Sequence, residues 1–379
     1  MKKCIYCFLL ILAACGGGGP GSPAATSPPP APPPPAFPGN FGVVGHIDIQ
    51  DSQSAHVSVY GSHAYMGTNP GIKGSRGNRV LVWDISNPSI PFITATIETA
   101  GSEVNDVMIR ADGKLAAYTD RTWVVILDLT DPAAPIEIGR VQVRDGHNLW
   151  IEGDFVYATE GRPGGSLIVI DILDPTNPQI VASYFADVGN AHDVHVRDGI
   201  AVVSHWAGGS VILDIGGGGA GGSPTNPIEL SRIETPGLLT HNAWYWPTAG
   251  YVFVAEELQF WGPGNSGSIY IFDVQDLRNP IQVATASVPE YDPHNFWVDE
   301  QREILYVAWY GNGVQAFDVS GTLSGQLELQ GRHVAGINTG PSTACMNAGD
   351  TCAYSLEGHD GLIYVSDFNS GLWVLEPQF

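Results

Sequence analysis

Residues 166–178 read SLIVIDILDPTNP, an unbroken apolar run that stops at Asp171 and is followed at once by a proline-bearing turn. A run of about five β-branched and aliphatic residues that ends in Asp and then Asp-Pro or Asn-Pro predicts a strand running into a turn. The run is too short for a helix, and because it lacks polar alternation we expect both faces of the strand to be covered. The terminal carboxylate should accept backbone N–H groups of the turn.

The same pattern recurs six more times, which defines a repeat. The other copies are Val80–Pro91, Val124–Pro135, Val211–Ile215, Ile269–Pro280, Val314–Ser320 and, in a degenerate form, Leu372–Glu376. The acids that close the seven copies are Asp84, Asp128, Asp171, Asp214, Asp273, Asp318 and Glu376, at successive intervals of 44, 43, 43, 59, 45 and 58 residues. Such a period is typical of a four-stranded propeller blade. The sequence therefore predicts an all-β, seven-bladed β-propeller of four-stranded antiparallel blades over residues 41–379.

The two ends of this region are each an incomplete blade. Phe41–Gln50 resembles a fourth strand alone, whereas three C-terminal segments supply only the first three strands: 354–356, 362–366 and 372–375. We expect the N-terminal strand to pair with the C-terminal blade, because ring closure removes exposed strand edges. Gly216–Gly222 is predicted to be a flexible insertion, and since it lacks a Lys and a following helix it does not match a phosphate-binding loop.

The repeat core Leu167-Ile168-Val169-Ile170-Asp171 and its six relatives resemble the LVIVD repeat of bacterial β-propellers. The resemblance covers essentially all of residues 41–379, and it is specific for the fold. It implies an exported or surface protein and does not imply one particular activity. The missing proline after Asp318 and the degenerate copies at Val314 and Leu372 depart from the pattern without affecting the predicted architecture.

The N-terminus has the pattern of a lipoprotein export signal. Residues 1–15 contain Lys2-Lys3, a short apolar stretch and Leu12-Ala13-Ala14-Cys15, which is too short to span a bilayer and resembles a lipobox. Cys15 is the predicted lipidation site, with an ordinary signal peptide as the alternative. Residues 16–40 are rich in Gly and Pro and predict a disordered tether. We therefore expect an extracytoplasmic protein, anchored to the membrane at Cys15, in the outer membrane or at the cell surface.

Charge and cysteine content narrow the set of partners. The 39 acidic and 16 basic residues give a formal net charge of -23, which repels phosphate backbones and excludes nucleic acid as a natural partner. Cys345 and Cys352 are predicted to form a disulfide in an exported protein, with a metal-binding pair as the alternative. We expect a monomer that binds a protein or a small molecule.

Histidine opens the first strand of five blades. These residues are His56, His147, His192, His241 and His294, with Asn105 at the same position in blade two and, approximately, Cys352 in blade seven. Because the first strand of a blade is innermost, we expect these residues to surround the central channel. Imidazoles near carboxylates could hold a transition metal, copper or iron, or the acids could hold calcium. The alternative is that the histidines are structural, since a residue shared by most repeats suits a role shared by all of them.

Blades four to six carry an aromatic and acidic cluster that the first three blades lack. The candidate ligand-binding residues are His205, Trp206, Glu256, Glu257, Trp309 and Tyr310, with Trp244, Trp246, Phe260 and Trp261 nearby in sequence. They lie near the ends of second strands, which place them on the same face as the histidines and opposite the Asp171-type turns. A binding scaffold that uses this mouth is the main interpretation. A metal-dependent oxidoreductase with axial histidines is the alternative, and the sequence identifies neither a catalytic residue nor a ligand.

Overall fold

The computed structural model describes residues 39–71, 77–187, 189–258, 266–340, 345 and 350–379, and these form seven antiparallel sheets arranged as the blades of a propeller. The predicted fold class is therefore confirmed. Strand β1 (Phe41–Ile47) comes first in the chain. Blade one follows as β2 (Gln53–Tyr60), β3 (His63–Asn69), β4 (Arg79–Asp84) and β5 (Phe92–Glu98). Blade two is β6 (Asp106–Ile109), β7 (Leu115–Thr119), β8 (Trp123–Asp128) and β9 (Ile136–Gln142).

The next three blades repeat the meander. Blade three is β10 (Gly146–Glu152), β11 (Phe155–Glu160), β12 (Leu167–Asp171) and β13 (Gln179–Tyr184). Blade four is β14 (Asp193–Arg197), β15 (Ile200–Ser204), β16 (Ser210–Asp214) and β17 (Ile228–Ile233). Blade five is β18 (Thr240–Trp246), β19 (Tyr251–Glu256), β20 (Ile269–Asp273) and β21 (Ile281–Ala286).

Blades six and seven contain the one departure from simple meanders and the closure of the ring. Blade six is β22 (Phe296–Asp299), β23 (Ile304–Ala308), β24 (Val314–Asp318) and, after the short β25 (Gly325–Gln326) that pairs in parallel with β21, β26 (His333–Ile337). Blade seven is β27 (Ala353–His359), β28 (Leu362–Asp367) and β29 (Gly371–Pro377), and β1 pairs with β29 as its fourth strand. A single 3₁₀ turn, Glu328–Gln330, is the helical content of the described residues. No helix among them is long and apolar enough to cross a bilayer.

Burial follows the sequence pattern of each blade. In β12 the four residues Leu167–Ile170 are buried, as expected for a strand with no polar alternation that is covered on both faces. The outer strand of the same blade, β13, is largely half-buried or exposed. Each interface between neighbouring blades holds apolar side chains from both, so the core is a ring of inter-blade layers around the channel.

The acids that end the third strands have the structural role predicted for them. Asp84, Asp128, Asp171, Asp273 and Asp318 each accept a backbone N–H from the residue two positions later, at 2.8–2.9 Å. Since a carboxylate that fixes its own turn satisfies an otherwise unpaired N–H group, the repeat of Asp along the chain reflects turn formation.

The expectation of a flexible insertion at Gly216–Gly222 is not supported. The backbone N–H groups of Gly216, Gly218, Ala220 and Gly222 all donate to the carboxylate of Asp214. Burial opposes ionisation, but these four donors outweigh it and lower the pKa of Asp214 to about 2. The glycines allow the loop to wrap around this carboxylate, so its concave set of N–H groups is already occupied by the chain itself.

The predicted disulfide is present. Cys345 and Cys352 are bonded with a Cα–Cα distance of 5.0 Å, and both are buried beside blade seven. The predicted lipobox around Cys15, the predicted tether and the pair Phe260-Trp261 lie outside the described residues.

Candidate functional site

In blades three and five, a β-bulge at the start of the first strand turns one residue toward the channel. In blade three, Gly146 faces Glu160 and Leu149 faces Ala158, so β10 has one residue more than β11 in between. Blade five has the same shift between Thr240 and Ala243. Since a bulge redirects the side chain it inserts, these shifts place His147 and His241 at the channel wall.

Four histidines from successive blades stand side by side at this level. The ring centroids of His147 and His192, of His192 and His241, and of His241 and His294 are 4.4, 4.3 and 4.3 Å apart. The Nε2 atoms of His147 and His192 are 2.8 Å apart. We call His147, His192, His241 and His294 the histidine arc, and it contains four of the five histidines predicted to surround the channel.

The structure does not bring His56 into the arc. In blades three and four, the arc residue comes six positions before the residue with a left-handed φ in the first turn. His147 thus precedes Gly153, and His192 precedes Asp198. The same count from Gly61 places Ala55 at the arc position of blade one. The count from Asp360 places Tyr354, and not Cys352, at the arc position of blade seven. His56 lies one residue deeper, with Nδ1 3.0 Å from Asp106 Oδ1.

Asn105 holds the arc position in blade two, as predicted. Its side chain accepts a hydrogen bond from the hydroxyl of Tyr354 at 2.9 Å and donates one to Asn148 at 2.7 Å. The ring of Tyr354 lies 4.1 Å from that of His294. Tyr354 was missed in the sequence because blade seven has no histidine to mark the position, although the count from the turn identifies it.

Two arc histidines have a defined tautomer, which follows from their hydrogen bonds. His192 Nδ1 lies 2.9 Å from the carbonyl oxygen of His241, and His294 Nδ1 lies 2.5 Å from that of Tyr354. A carbonyl can only accept, so each Nδ1 donates and each Nε2 keeps its lone pair. The same contacts link neighbouring blades, so a structural role for the histidines and a ligand-binding role are compatible.

All four arc imidazoles are neutral at neutral pH. Burial lowers the pKa of His192 to about 4 and that of His294 to about 3. Burial, followed by the neighbouring imidazoles, lowers the pKa values of His147 and His241 well below 6.5. A neutral imidazole with a free nitrogen lone pair is the form that coordinates transition metals.

One acid completes this cluster. Glu257 is 2% exposed, accepts the hydroxyl proton of Tyr310 at 2.6 Å, and places Oε2 3.6 Å from His241 Nε2. Burial raises the pKa of Glu257 to about 8, so at neutral pH this contact joins two neutral groups and is not an ion pair. His241, Glu257 and His294 each offer one ligand atom, and these three atoms lie within 4.8 Å of one another.

The other mouth candidates divide into two groups. Trp206 packs edge-on against His192, with ring centroids 4.4 Å apart, and Tyr310 lies 4.7 Å from His294. His205, Glu256 and Trp309 instead bond within their own loops. His205 Nδ1 binds Val203, Glu256 accepts from Thr235 and Gly237, and Trp309 donates to the carbonyl of Tyr291.

The position of these three residues in their strands explains why they do not face the channel. His205, Glu256 and Trp309 end or directly follow their second strands, whereas the residue after each of them turns toward the channel. Trp206 and Tyr310 have left-handed φ values of 50° and 37°. Trp206, Glu257 and Tyr310 therefore contact the arc histidines, whereas their predecessors bond within their own loops. An offset of one residue is not visible in composition.

The arc, Glu257 and Tyr310 border a cavity of about 550 Å³, the mouth cavity. Gln53, Glu103, Arg121, Cys345 and Phe368 lie on its other sides. Arg121 is paired with Glu103 at 2.7 Å and with Asp145 at 2.6 Å, so its charge is balanced. The volume is sufficient for an ion together with a small molecule.

Comparison with known protein families identifies LVIVD repeats at residues 52–99, 144–186 and 188–235, which correspond to blades one, three and four. Together with the seven blades, this establishes an LVIVD-repeat β-propeller scaffold. No curated protein matches the chain.

Proposed function

We propose that this chain is an extracytoplasmic binding scaffold whose mouth cavity holds a divalent transition-metal ion. The observation that carries the proposal is the convergence of His241, Glu257 and His294, three buried ligand atoms within 4.8 Å on one side of an open cavity. His192 stands next to His241, but its Nε2 lone pair accepts a hydrogen bond from His147, so it is not counted among the ligands.

The donor set decides the class of ion. Two imidazoles and a carboxylate suit zinc, copper or iron, whereas calcium requires six to eight oxygen ligands. Metal–ligand bonds of about 2.0–2.2 Å place ligand atoms about 3–4 Å apart, so binding requires the three side chains to close by about 1 Å. The carbonyl that holds Nδ1 of His294 orients its ring, as outer-shell partners of ligating histidines do.

The charge state of Glu257 couples metal binding to pH. With its pKa raised to about 8 by burial, Glu257 must lose a proton before it can bind a cation as a carboxylate. The metal-bound state therefore carries fewer protons than the metal-free one. We expect affinity to increase as the pH rises toward 8 and then to level off, with release of about one proton per ion below that range.

A metal-dependent oxidoreductase is the second candidate. Two histidines and one carboxylate with an open side is the ligand set of non-haem iron oxygenases. Tyr310 and Trp206, two oxidisable side chains, border the same site. Redox cycling of the iron- or copper-loaded chain, measured by the change in its absorption spectrum with ascorbate and oxygen, would favour this candidate over a purely binding role.

Isothermal titration with zinc and with copper, combined with elemental analysis, tests the proposal. We expect one ion per chain and a loss of affinity of at least about tenfold in His241→Ala, His294→Ala and Glu257→Gln. The matched control is His205→Ala, which removes a buried histidine near the mouth that does not line the cavity. Absence of a stoichiometric ion after loading, or equal losses in the control, would refute the proposal.

A further inference from the structure

The channel contains a second cavity, of about 110 Å³, whose lining includes Asn148, Asn242 and Asn295, the residues that directly follow three of the arc histidines. Most of its wall comes from the residue three positions after the arc position in blades two to seven. These wall residues are Met108, Trp150, His195, Trp244, Trp297 and Glu357. We call this set the cage. Trp150, Trp244 and Trp297 are half-buried, so the cage reaches the surface that carries the first turns of the blades.

The aromatic rings of the cage have fixed orientations. His195 stacks on Trp244, with centroids 4.5 Å apart and planes inclined by 29°, and it meets Trp150 edge-on at 4.4 Å. Trp244 Nε1 donates to Glu300 at 3.2 Å, and the same carboxylate binds Arg197. The guanidinium of Arg197 is thus paired with a carboxylate.

Carboxyl groups are the main ionisable groups of this cavity. Burial raises the pKa of Asp193 and that of Glu357 to about 7, so both are partly ionised at neutral pH. Asp106, Asp193 and Glu357 border it, and the one basic partner among its lining residues is His56, which is paired with Asp106 at 3.0 Å. An anion would be repelled by these groups. A cation would be attracted by them and by the electron-rich faces of three indoles.

His195 carries a buried hydrogen-bond donor next to the cage. Its Nδ1 accepts the backbone N–H of Tyr245 at 3.1 Å, so in the neutral ring the proton is on Nε2. His195 is 2% exposed, and among the described residues its Nε2 has no hydrogen-bond partner. A buried donor without an acceptor destabilises the fold, and an oxygen atom of a ligand would satisfy it.

We propose that the cage binds a small quaternary-ammonium ligand that carries a hydroxyl oxygen. The methylated nitrogen contacts the indole faces of Trp150, Trp244 and Trp297, the carboxyl groups balance its charge, and the oxygen accepts the proton of His195 Nε2. A neutral sugar would use the same rings and polar groups, but it would gain nothing from the excess of acids. Binding in the cage does not require the metal proposed for the mouth cavity.

Titration of the full chain with choline, followed by calorimetry and tryptophan fluorescence, tests this proposal. The comparison ligand is dimethylbutanol, the uncharged isostere in which carbon replaces the nitrogen. We expect choline to bind at least about tenfold more tightly, because only the cation gains from the ring faces and carboxylates. Equal affinity for the two ligands, no binding of choline, or preferential binding of glucose would overturn the proposal.

Variants locate the site. Glu357→Gln keeps the side-chain shape and Trp150→Leu removes one ring, and each should weaken choline binding at least about tenfold. Trp373→Leu is the matched control, since Trp373 stacks on His46 in the outer part of blade seven. His241→Asn should leave choline binding unchanged, which separates the cage from the mouth cavity. Loss of choline binding only in the control or in His241→Asn would contradict the assignment. If Trp150→Leu does not fold, Glu357→Gln decides alone.

Discussion

His56 differs from the arc histidines in the direction of its pKa shift. Burial alone would lower its pKa, but the charge and hydrogen bond of Asp106, with Glu357 and Asp193 beyond, outweigh burial and raise it to about 9. His56 is therefore a cation at neutral pH, whereas the arc is neutral. Since cationic imidazoles do not coordinate metals, the one-residue offset of His56 also removes it from the candidate ligands.

The first prediction concerns this charge. In an NMR titration the His56 ring should remain protonated up to about pH 8 and titrate near 9, because Asp106 stabilises the charged form. A raised pKa stabilises the fold below the unfolded value of about 6.5, and this contribution disappears as the pH rises through 9. Asp106→Asn should lower the pKa of His56 markedly. A midpoint at or below 6.5 in the unmodified chain would contradict this account.

For individual residues, the sequence predicted the residue types around the channel better than their exact positions. The histidine repeat located the arc in four blades, and Asn105 was placed correctly because apolar runs fix where a strand begins. His56 and the mouth residues were each displaced by one position. A bulge between Ser54 and Val57 inserts a single residue without changing the hydrophobic pattern, so periodicity alone could not detect the displacement of His56. Counting back six positions from Gly61 in the first turn would have placed Ala55, and not His56, at the arc position.

Strand β1 is the element on which ring closure depends. It pairs with β29 from Phe41 opposite Pro377 to Ile47 opposite Leu372. Phe41 is 2% exposed and packs against Phe379 and Tyr306 at 5.6 and 6.2 Å. Closure was predictable because each terminus lacked the strands that the other supplied.

Two truncations test the role of β1. Removal of residues 16–38 should leave the melting temperature nearly unchanged. Removal of residues 16–50 should destabilise the fold by about 5 kcal/mol or more, because it exposes the edge of β29 and removes the buried ring of Phe41. Both forms keep the signal, so thermal unfolding can be compared directly. Equal melting temperatures for the two truncations would show that the ring closes without β1.

The loops were the least predictable elements. The role of Asp171 and its equivalents followed from turn chemistry, which acts within three residues. Gly216–Gly222 was expected to be flexible because glycine composition alone does not reveal a partner. Its partner, Asp214, was already assigned to the strand end, and that carboxylate accepts four N–H groups of the loop. A carboxylate that ends a strand can therefore also organise the loop after it.

The whole molecule has approximate sevenfold symmetry in its strands and none in its channel. Blades three to six supply the arc and the aromatic side of the cage, whereas blades one, two and seven supply Ala55, Asn105, Tyr354 and Glu357 at matching positions. A role common to all repeats would keep one residue type in all seven. The one-sided distribution therefore supports ligand binding in addition to the inter-blade hydrogen bonds.

Membrane anchoring of the whole chain is also a proposal, and it rests on the lipobox-like sequence that ends at Cys15. In a Gram-negative host, Cys15→Ser should move the chain from the membrane fraction to the soluble fraction, since without the thiol no lipid can be attached. Cys4→Ser and Cys7→Ser are matched controls within the signal and should remain in the membrane fraction. Unchanged partitioning of Cys15→Ser would refute the anchor.

The most direct test of a metal at the mouth is the X-ray absorption spectrum of the zinc-loaded chain. We expect a first shell of nitrogen and oxygen at about 2.0–2.1 Å, with imidazole scattering from His241 and His294. In the double variant His241→Ala/His294→Ala this imidazole signal should disappear, while His205→Ala should retain it. A six-coordinate shell of oxygen alone, or an imidazole signal that persists in the double variant, would contradict the account.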